Sequence, residues 1–388
     1  MRARDAALVA AAIVATTVAH AGRSPGAPRL SPGATAWRDS GREGVRGLTI
    51  GPIESSLHAG KGYGTEACAR TMDQARRMGA TWVSLTPFGR TWDLAPTGVD
   101  LTFEAPFAKN QKDLAAAVKQ AHAAGLRVLL VPHLWVETGG WRAEIDPGDE
   151  AAWKRWASGY RRFVLTWARF AETAHVDMLS VGVELRSFAT TTHAPLLSSI
   201  VQDVRHAYGG LLTYAANWDD ADDTVVWSDL DVISLNAFFP LSDKHGATFD
   251  DLRSGGVEVA RKVRELAESW QKPVLFNEIG YTTRKDAAVE PWIWPDVMKS
   301  VEIDQHSQAE AFAALLAPLL DEPRFAGFFV WRLYADPDDM SQEAEWGFSP
   351  RGKLAELVVR DAFAARWAAD RDVARASFLS PRAVGFGL

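Results

Sequence analysis

The sequence predicts a closed (β/α)8 barrel, and three observations carry that prediction. Strand-like apolar runs alternate with helix-like segments almost without interruption from residue 45 to residue 367, the pattern of a parallel sheet whose crossovers are helices. Eight such units fit the fold, which takes about 250 residues and often carries loop insertions. Two of the runs, far apart in the chain, share one design. Lys272-Pro-Val-Leu-Phe-Asn-Glu278-Ile-Gly-Tyr-Thr-Thr283 and Asp177-Met-Leu-Ser-Val-Gly-Val-Glu184-Leu-Arg-Ser187 each end an apolar stretch on a carboxylate and dissolve into polar residues. Such runs read as buried strands, and only a closed or strongly wound sheet brings both ends to one site.

Taken in order, the strands are expected at residues 45–50, 82–86, 127–132, 178–183, 211–216, 232–236, 274–277 and 327–331. Helices are expected at 66–78, 111–124, 150–174, 195–208, 256–270 and 308–320, with a last one at 353–367. The second helix illustrates the pattern: Leu114, Val118 and Ala121 recur on one face while Lys119 and Gln120 turn outward, as an outer ring requires. No internal repeat interrupts the series.

The ends read differently. Residues 1–21 have the anatomy of a secretory signal: Arg2 and Arg4, an apolar run from Ala6 to Ala19, and Ala19-His20-Ala21 as a small-x-small cleavage site. An uncleaved N-terminal anchor is the alternative. Residues 22–44, rich in Gly, Pro, Ser and Arg, read as a linker, and 368–388 form a tail of unread role. The domain plan is thus signal 1–21, linker 22–44, barrel 45–367 and tail 368–388, with a secreted or periplasmic protein expected. The single cysteine, Cys68, excludes an intrachain disulfide and reads as a small buried helix residue. A net charge of −7 argues against nucleic acid or an anionic membrane as partner. A monomer is expected.

Barrel sites lie at the carboxyl ends of the strands, so the strand list becomes a site map. The third strand leads into His133 and Trp135, the fourth ends on Glu184, and the fifth on Asn217 and Trp218. The sixth ends in Asn236-Ala-Phe238-Phe239, the seventh on Asn277 and Glu278, and the eighth on Trp331-Arg332. Two carboxylates among aromatics suggest glycoside hydrolysis, in which one carboxyl protonates the leaving oxygen and the other attacks or supports the anomeric carbon. Configuration is retained if the carboxyls are about 5–5.5 Å apart and inverted if about 6.5–9.5 Å. A further row of tryptophans, Trp92, Trp135, Trp141, Trp292, Trp294 and Trp346, falls in the loops after the strands, where flat rings can stack on sugars. Arg90 and Arg332 are offered as sugar contacts or as plain ion-pair partners. A zinc site lacks ligands, because His133 is the lone strand-end histidine and no Cys/His cluster accompanies it. Asp219, Asp220, Asp222 and Asp223 lack the glycine and terminal glutamate of a calcium loop and read as a solvated acidic loop. No nucleophile elbow occurs within the barrel, and Ser180 lies inside a strand. No metal or cofactor is called for.

The same residues carry a resemblance. Pro132-His133, Gly140-Trp141-Arg142, Gly182-Val-Glu184-Leu, Leu212-Thr-Tyr-Ala-Ala-Asn217-Trp218, Asn277-Glu278-Ile-Gly-Tyr281, Phe329-Val-Trp331 and Gly347-Phe-Ser-Pro-Arg-Gly-Lys353, in this order, resemble glycoside hydrolase family 113. The resemblance implies a (β/α)8 retaining glycosidase, with endo-β-1,4-mannanase the best-known activity and a polysaccharide or oligosaccharide as partner. It implies Glu184 as general acid/base and Glu278 as nucleophile. Trp331 would be the platform under the sugar at the cleavage point, with Asn217, Trp218 and His133 in the same subsite; Trp135, Trp141, Phe238, Asn277 and Tyr281 complete the expected binding set. Two positions depart from the pattern. Val183 stands where the wider clan commonly has Asn, and Phe238 where family members tend to have a Tyr whose hydroxyl would bond the nucleophile. The rivals are the same chemistry on a glucan or amino-sugar polymer, and a non-catalytic carbohydrate-binding barrel.

Overall fold

The computed structural model describes residues 43–52, 60–102, 105–339, 341–368 and 370. The expected signal, nearly all of the linker and the tail beyond residue 370 lie outside them. The first strand, β1, spans Val45–Gly51, where the sequence places it. Seven more strands complete the barrel: β2 (Trp82–Leu85), β4 (Arg127–Leu130), β6 (Met178–Val183), β7 (Leu211–Asn217), β8 (Ile233–Asn236), β9 (Val274–Ile279) and β10 (Phe325–Tyr334). The sheet closes in the order β1-β10-β9-β8-β7-β6-β4-β2, and neighbouring strands run parallel, as Val45 opposite Gly327 and Gly47 opposite Trp82 illustrate.

The helices are α1 (Glu66–Arg77), α2 (Phe107–Ala123), α3 (Glu150–Ala174), the short α4 (Arg186–Ala189), α5 (Ala194–Ala207), α6 (Phe249–Trp270), α7 (Gln305–Leu320) and α8 (Leu354–Ala364). Between β7 and β8 the crossover is only a 3-10 turn, Val226–Asp229. Buried Val226 and Trp227 cover the strands there, and Lys272 Nζ donates to the carbonyls of Trp227, Ser228 and Leu230.

The interior of the barrel is filled by one compact cluster, including Val45, Trp82, Leu129, Met178, Val183, Leu275 and Phe329. A much larger cluster lies between strands and helices; α3 alone contributes Trp153, Trp156, Tyr160, Phe163 and Trp167 to it. Cys68 is fully buried on α1, and burial pushes its thiol up to about 11, so the expectation of an inert core residue holds.

Two regions differ from the sequence expectation. After β2 and β4 the chain passes Pro87 and Pro132 and forms a separate parallel pair, β3 (Phe88–Thr91) and β5 (His133–Val136), with Phe88 opposite His133. Proline donates no ladder bond, so each run divides there, and Trp135 stands on β5 instead of in a loop. On the outer ring, α6 begins at Phe249, well before residue 256, because Thr248 and Asp251 form a reciprocal capping box. The Gly255-Gly256 pair that suggested a later start lies inside the helix.

Candidate active site

The two glutamates meet at the carboxyl ends of β6 and β9, 9% and 4% exposed respectively. Glu278 is the penultimate residue of β9 and lies opposite Asn236, the last residue of β8. Glu184 sits one step beyond β6 with φ +49°. A non-glycine residue in this region costs about 1–2 kcal/mol. Two of the other positive-φ residues, His175 and Gln271, serve as helix C-caps; Glu184 has no such local reason. Its turn is pinned by Glu184 N–H donating to Ala215 O at 2.8 Å and Leu185 N–H donating to the Tyr214 hydroxyl at 2.8 Å.

The carboxylate of Glu184 accepts three hydrogen bonds. Arg142 Nη2 (2.9 Å) and Trp141 Nε1 (3.1 Å) donate to Oε2, and Asn236 Nδ2 (2.9 Å) donates to Oε1. Asn236 in turn accepts from Asn277 Nδ2 at 2.9 Å, so one amide chain ties β6, β8 and β9 together across the site. Glu278 has weaker company. Asn277 Nδ2 stands 3.5 Å from its Oε1, as does His133 Nε2, and the histidine contact lacks hydrogen-bond geometry. Burial first and the Glu184 charge second push the Glu278 carboxyl up to about 8, against the opposing pull of Arg142 and Arg332. Burial and the same two arginines hold His133 well below the usual imidazole range, leaving it neutral.

Aromatic rings form the walls. Trp331 stacks parallel to His133, with centroids 6.1 Å apart, and clusters with Phe238, Phe348 and Trp218. Trp218 stacks on Trp292 at 5.9 Å. Arg332 lies over the rings of Trp331, Trp294 and Tyr334. Trp141, Trp292 and Trp294, each more than a third exposed, stand against Glu184, Trp218 and Trp331 in turn, and Trp92 and Trp135 are exposed at the β3–β5 pair. The indole N–H of Trp331 and Nε2 of His133, both buried, make no hydrogen bond among the described residues.

The structure brings most of the expected residues to this cleft: Glu184, Glu278, His133, Trp141, Trp218, Phe238, Asn277 and Trp331. Asn217, half-buried at the end of β7, donates instead to Asp219. Tyr281 is not brought to the cleft: it is fully buried, with its ring edge-on to Phe312 of α7 and its hydroxyl aimed at Phe239 O. Arg90 pairs with Asp100 and Glu137. The acidic loop is not simply solvated. Asp219 and Asp220 pair with Arg186, whose guanidinium lies 4.9 Å from the Trp141 ring, while Asp222 and Asp223 are exposed. Arg142 and Asn236 were not assigned roles by sequence reasoning, although both bond Glu184. Asn236 carried a usable signal, its place at a strand's carboxyl end; Arg142 stood in the Gly140-Trp141-Arg142 fragment of the resemblance, which gave it no role. Among the described residues no group of His, Cys, Asp and Glu side chains could hold a metal ion.

The family model for Glycoside Hydrolase Family 113 matches residues 56–353. Among curated proteins there is no match. Among solved structures, the chain is similar to a β-mannanase of that family from Alicyclobacillus acidocaldarius, in complex with ManMIm. The two are 25% identical with a TM-score of 0.70 over 83% of this chain and 97% of the other. A second β-1,4-mannanase of the family gives 23% identity and a TM-score of 0.70 over 84% of this chain and all of the other. A glycoside hydrolase family 5 mannosidase from Rhizomucor miehei shares the fold at 10% identity, with a TM-score of 0.60 over 86% of this chain and 94% of the other.

Proposed function

The chain belongs to glycoside hydrolase family 113, and from that premise we propose that it is a retaining endo-β-1,4-mannanase using Glu278 as nucleophile and Glu184 as general acid/base. The observation that carries the reading is the pairing of two buried strand-end glutamates, linked through Asn236, beneath a wall of Trp331, His133 and Phe238. Glu278 attacks the anomeric carbon, the bond to the leaving oxygen breaks, and that oxygen takes the proton from Glu184. Glu184, now a carboxylate, takes a proton from water, whose oxygen attacks the same carbon and returns Glu278 to its carboxylate form.

Three features support the finer assignment. Mannan is the substrate of choice because the similar family structures are β-mannanases. Endo action is supported by exposed tryptophans on both sides of the glutamates: Trp141 against Glu184 after β6, and Trp292 and Trp294 beside β7 and β10. The buried, unpartnered N–H of Trp331 and ring nitrogen of His133 suit sugar hydroxyls, since a buried polar group without a partner is costly. Asn236, two strands further round, supplies near Glu184 the amide that Val183 lacks. Export as a secreted or periplasmic protein is part of the proposal and is checked by N-terminal sequencing of the mature chain.

The deciding experiment follows reducing ends released from β-1,4-mannan, glucan, xylan and chitosan by the wild type, Glu184→Gln and Glu278→Gln. Mannan is expected to be cleaved by the wild type alone. Glutamate-dependent cleavage of another polymer would keep the mechanism and overturn the substrate. Cleavage of mannan that survives both substitutions would overturn the assignment of the glutamates.

A further inference from the structure

Resting on that reading, we propose that Arg142 is a positioning residue for Glu184: it holds the carboxylate form needed for water attack and withdraws when Glu184 carries the proton for bond cleavage.

The donor count is the starting point. Glu184 Oε2 accepts from Arg142 and Trp141 and Oε1 from Asn236. Guanidinium and indole have no acceptor to offer, so a proton placed on Oε2 would face two N–H groups. Glu184 can therefore serve as an acid at Oε2 only after a donor moves away. Of the three donors Arg142 alone is charged, so its contact separates the ionised from the protonated form most strongly.

The surroundings assign this task to Arg142. From α4, Arg186 is committed to Asp219 and Asp220. From β10, Arg332 lies over Trp294, Trp331 and Tyr334. From β5, His133 is neutral, and from β9, Glu278 adds a like charge whenever it ionises. Arg142 has an anchor of its own: Nη1 donates to Leu134 O at 3.4 Å. Its loop is tied to the helix that follows Glu184 by the Ser187 hydroxyl donating to Ile145 O at 2.5 Å. The guanidinium thus remains beside the site when its contact with Glu184 opens.

The two chemical steps make opposite demands. Cleavage requires a protonated Glu184 and an ionised Glu278, whereas the arrangement seen has Glu184 ringed by donors and Glu278 pushed up to about 8. Once Glu278 is esterified to the sugar it is neutral, and Glu184 must be a carboxylate to activate water. Arg142 holds that second form.

The test uses a dinitrophenyl β-1,4-mannooligosaccharide, whose leaving group needs no protonation, so that hydrolysis of the glycosyl-enzyme limits turnover. Stopped-flow kinetics of the wild type, Arg142→Gln and Arg142→Lys separate the burst from the steady state. Arg142→Gln is expected to keep the burst rate and lose about 10-fold to 100-fold in steady-state kcat, at or below the lower end of the 10²–10⁴-fold that general acid–base catalysis contributes. The acid limb of its kcat profile should move, because the charged donor to Glu184 Oε2 is gone. Arg142→Lys, which keeps the charge, should recover most of both. Equal slowing of burst and steady state, or an unmoved pH limb with unchanged kcat, would overturn the proposal. Turnover of this substrate by Glu278→Gln would instead refute the underlying mechanism.

Discussion

Glu278 carries the sharpest single-residue consequence of the fold. Its ordinary value as a carboxyl is about 4.3, and in the folded protein it is pushed up to about 8 by burial and by Glu184. A raised carboxyl contributes stability that is fully present below the unfolded value and is lost as pH rises through the folded value. Glu278→Gln keeps the shape and removes the ionisation. Its Tm relative to wild type is therefore expected to rise between pH 5 and pH 9, measured by thermal denaturation across buffers; parallel curves would contradict this. Glu184 and Glu278 were both legible in the sequence, because an apolar run ending on Glu is a pattern along the chain. The Arg142 and Asn236 contacts were not, since each donor comes from a different element and no spacing relates it to Glu184. Tyr281 shows the converse failure: two positions past a strand, it was expected in the cleft, but the backbone turns it into the helix layer.

At the level of elements, α6 shows how tertiary packing overrides propensity. Gly255 and Gly256 lie within its first three turns, where glycine ordinarily costs about 1 kcal/mol relative to alanine. A Cβ on Gly256 would lie 2.0 Å from Ala314 O of α7, and one on Gly255 would lie 2.1 Å from Leu241 O. The helix is packed so closely on its neighbours that only hydrogen fits. Gly256→Ala is therefore expected to destabilise the protein by about 1–3 kcal/mol or more, as overpacking does, instead of stabilising it as helix propensity alone would. Urea unfolding reads the sign directly, and a higher midpoint would refute the packing argument. The β3–β5 pair is a related case. The sequence shows the prolines that end β2 and β4, but the pairing of residues 88–91 with 133–136 exists only once the barrel has brought those two chain segments side by side.

For the molecule as a whole, closure of the strands buries Glu278 beside the Glu184 charge, and both effects keep a proton in the site well above the ordinary carboxyl range. With Glu278 at about 8, kcat/KM on mannan is expected to fall as pH rises through about 8, because the proton that burial holds in the site is then lost. Initial rates across pH 4–10 check this, and activity still climbing at pH 9 would contradict it. The sequence by itself determined the barrel, its eight strands, the outer ring of helices and the two glutamates. These follow from local periodicity, strand length and the rule that barrel sites gather at strand ends. Only the tertiary structure decided which donors hold Glu184, why Glu278 stays protonated so far up the pH scale, and which aromatics wall the cleft. Those properties are sums over neighbours from distant parts of the chain, and burial and charge acquire values only when the strands close.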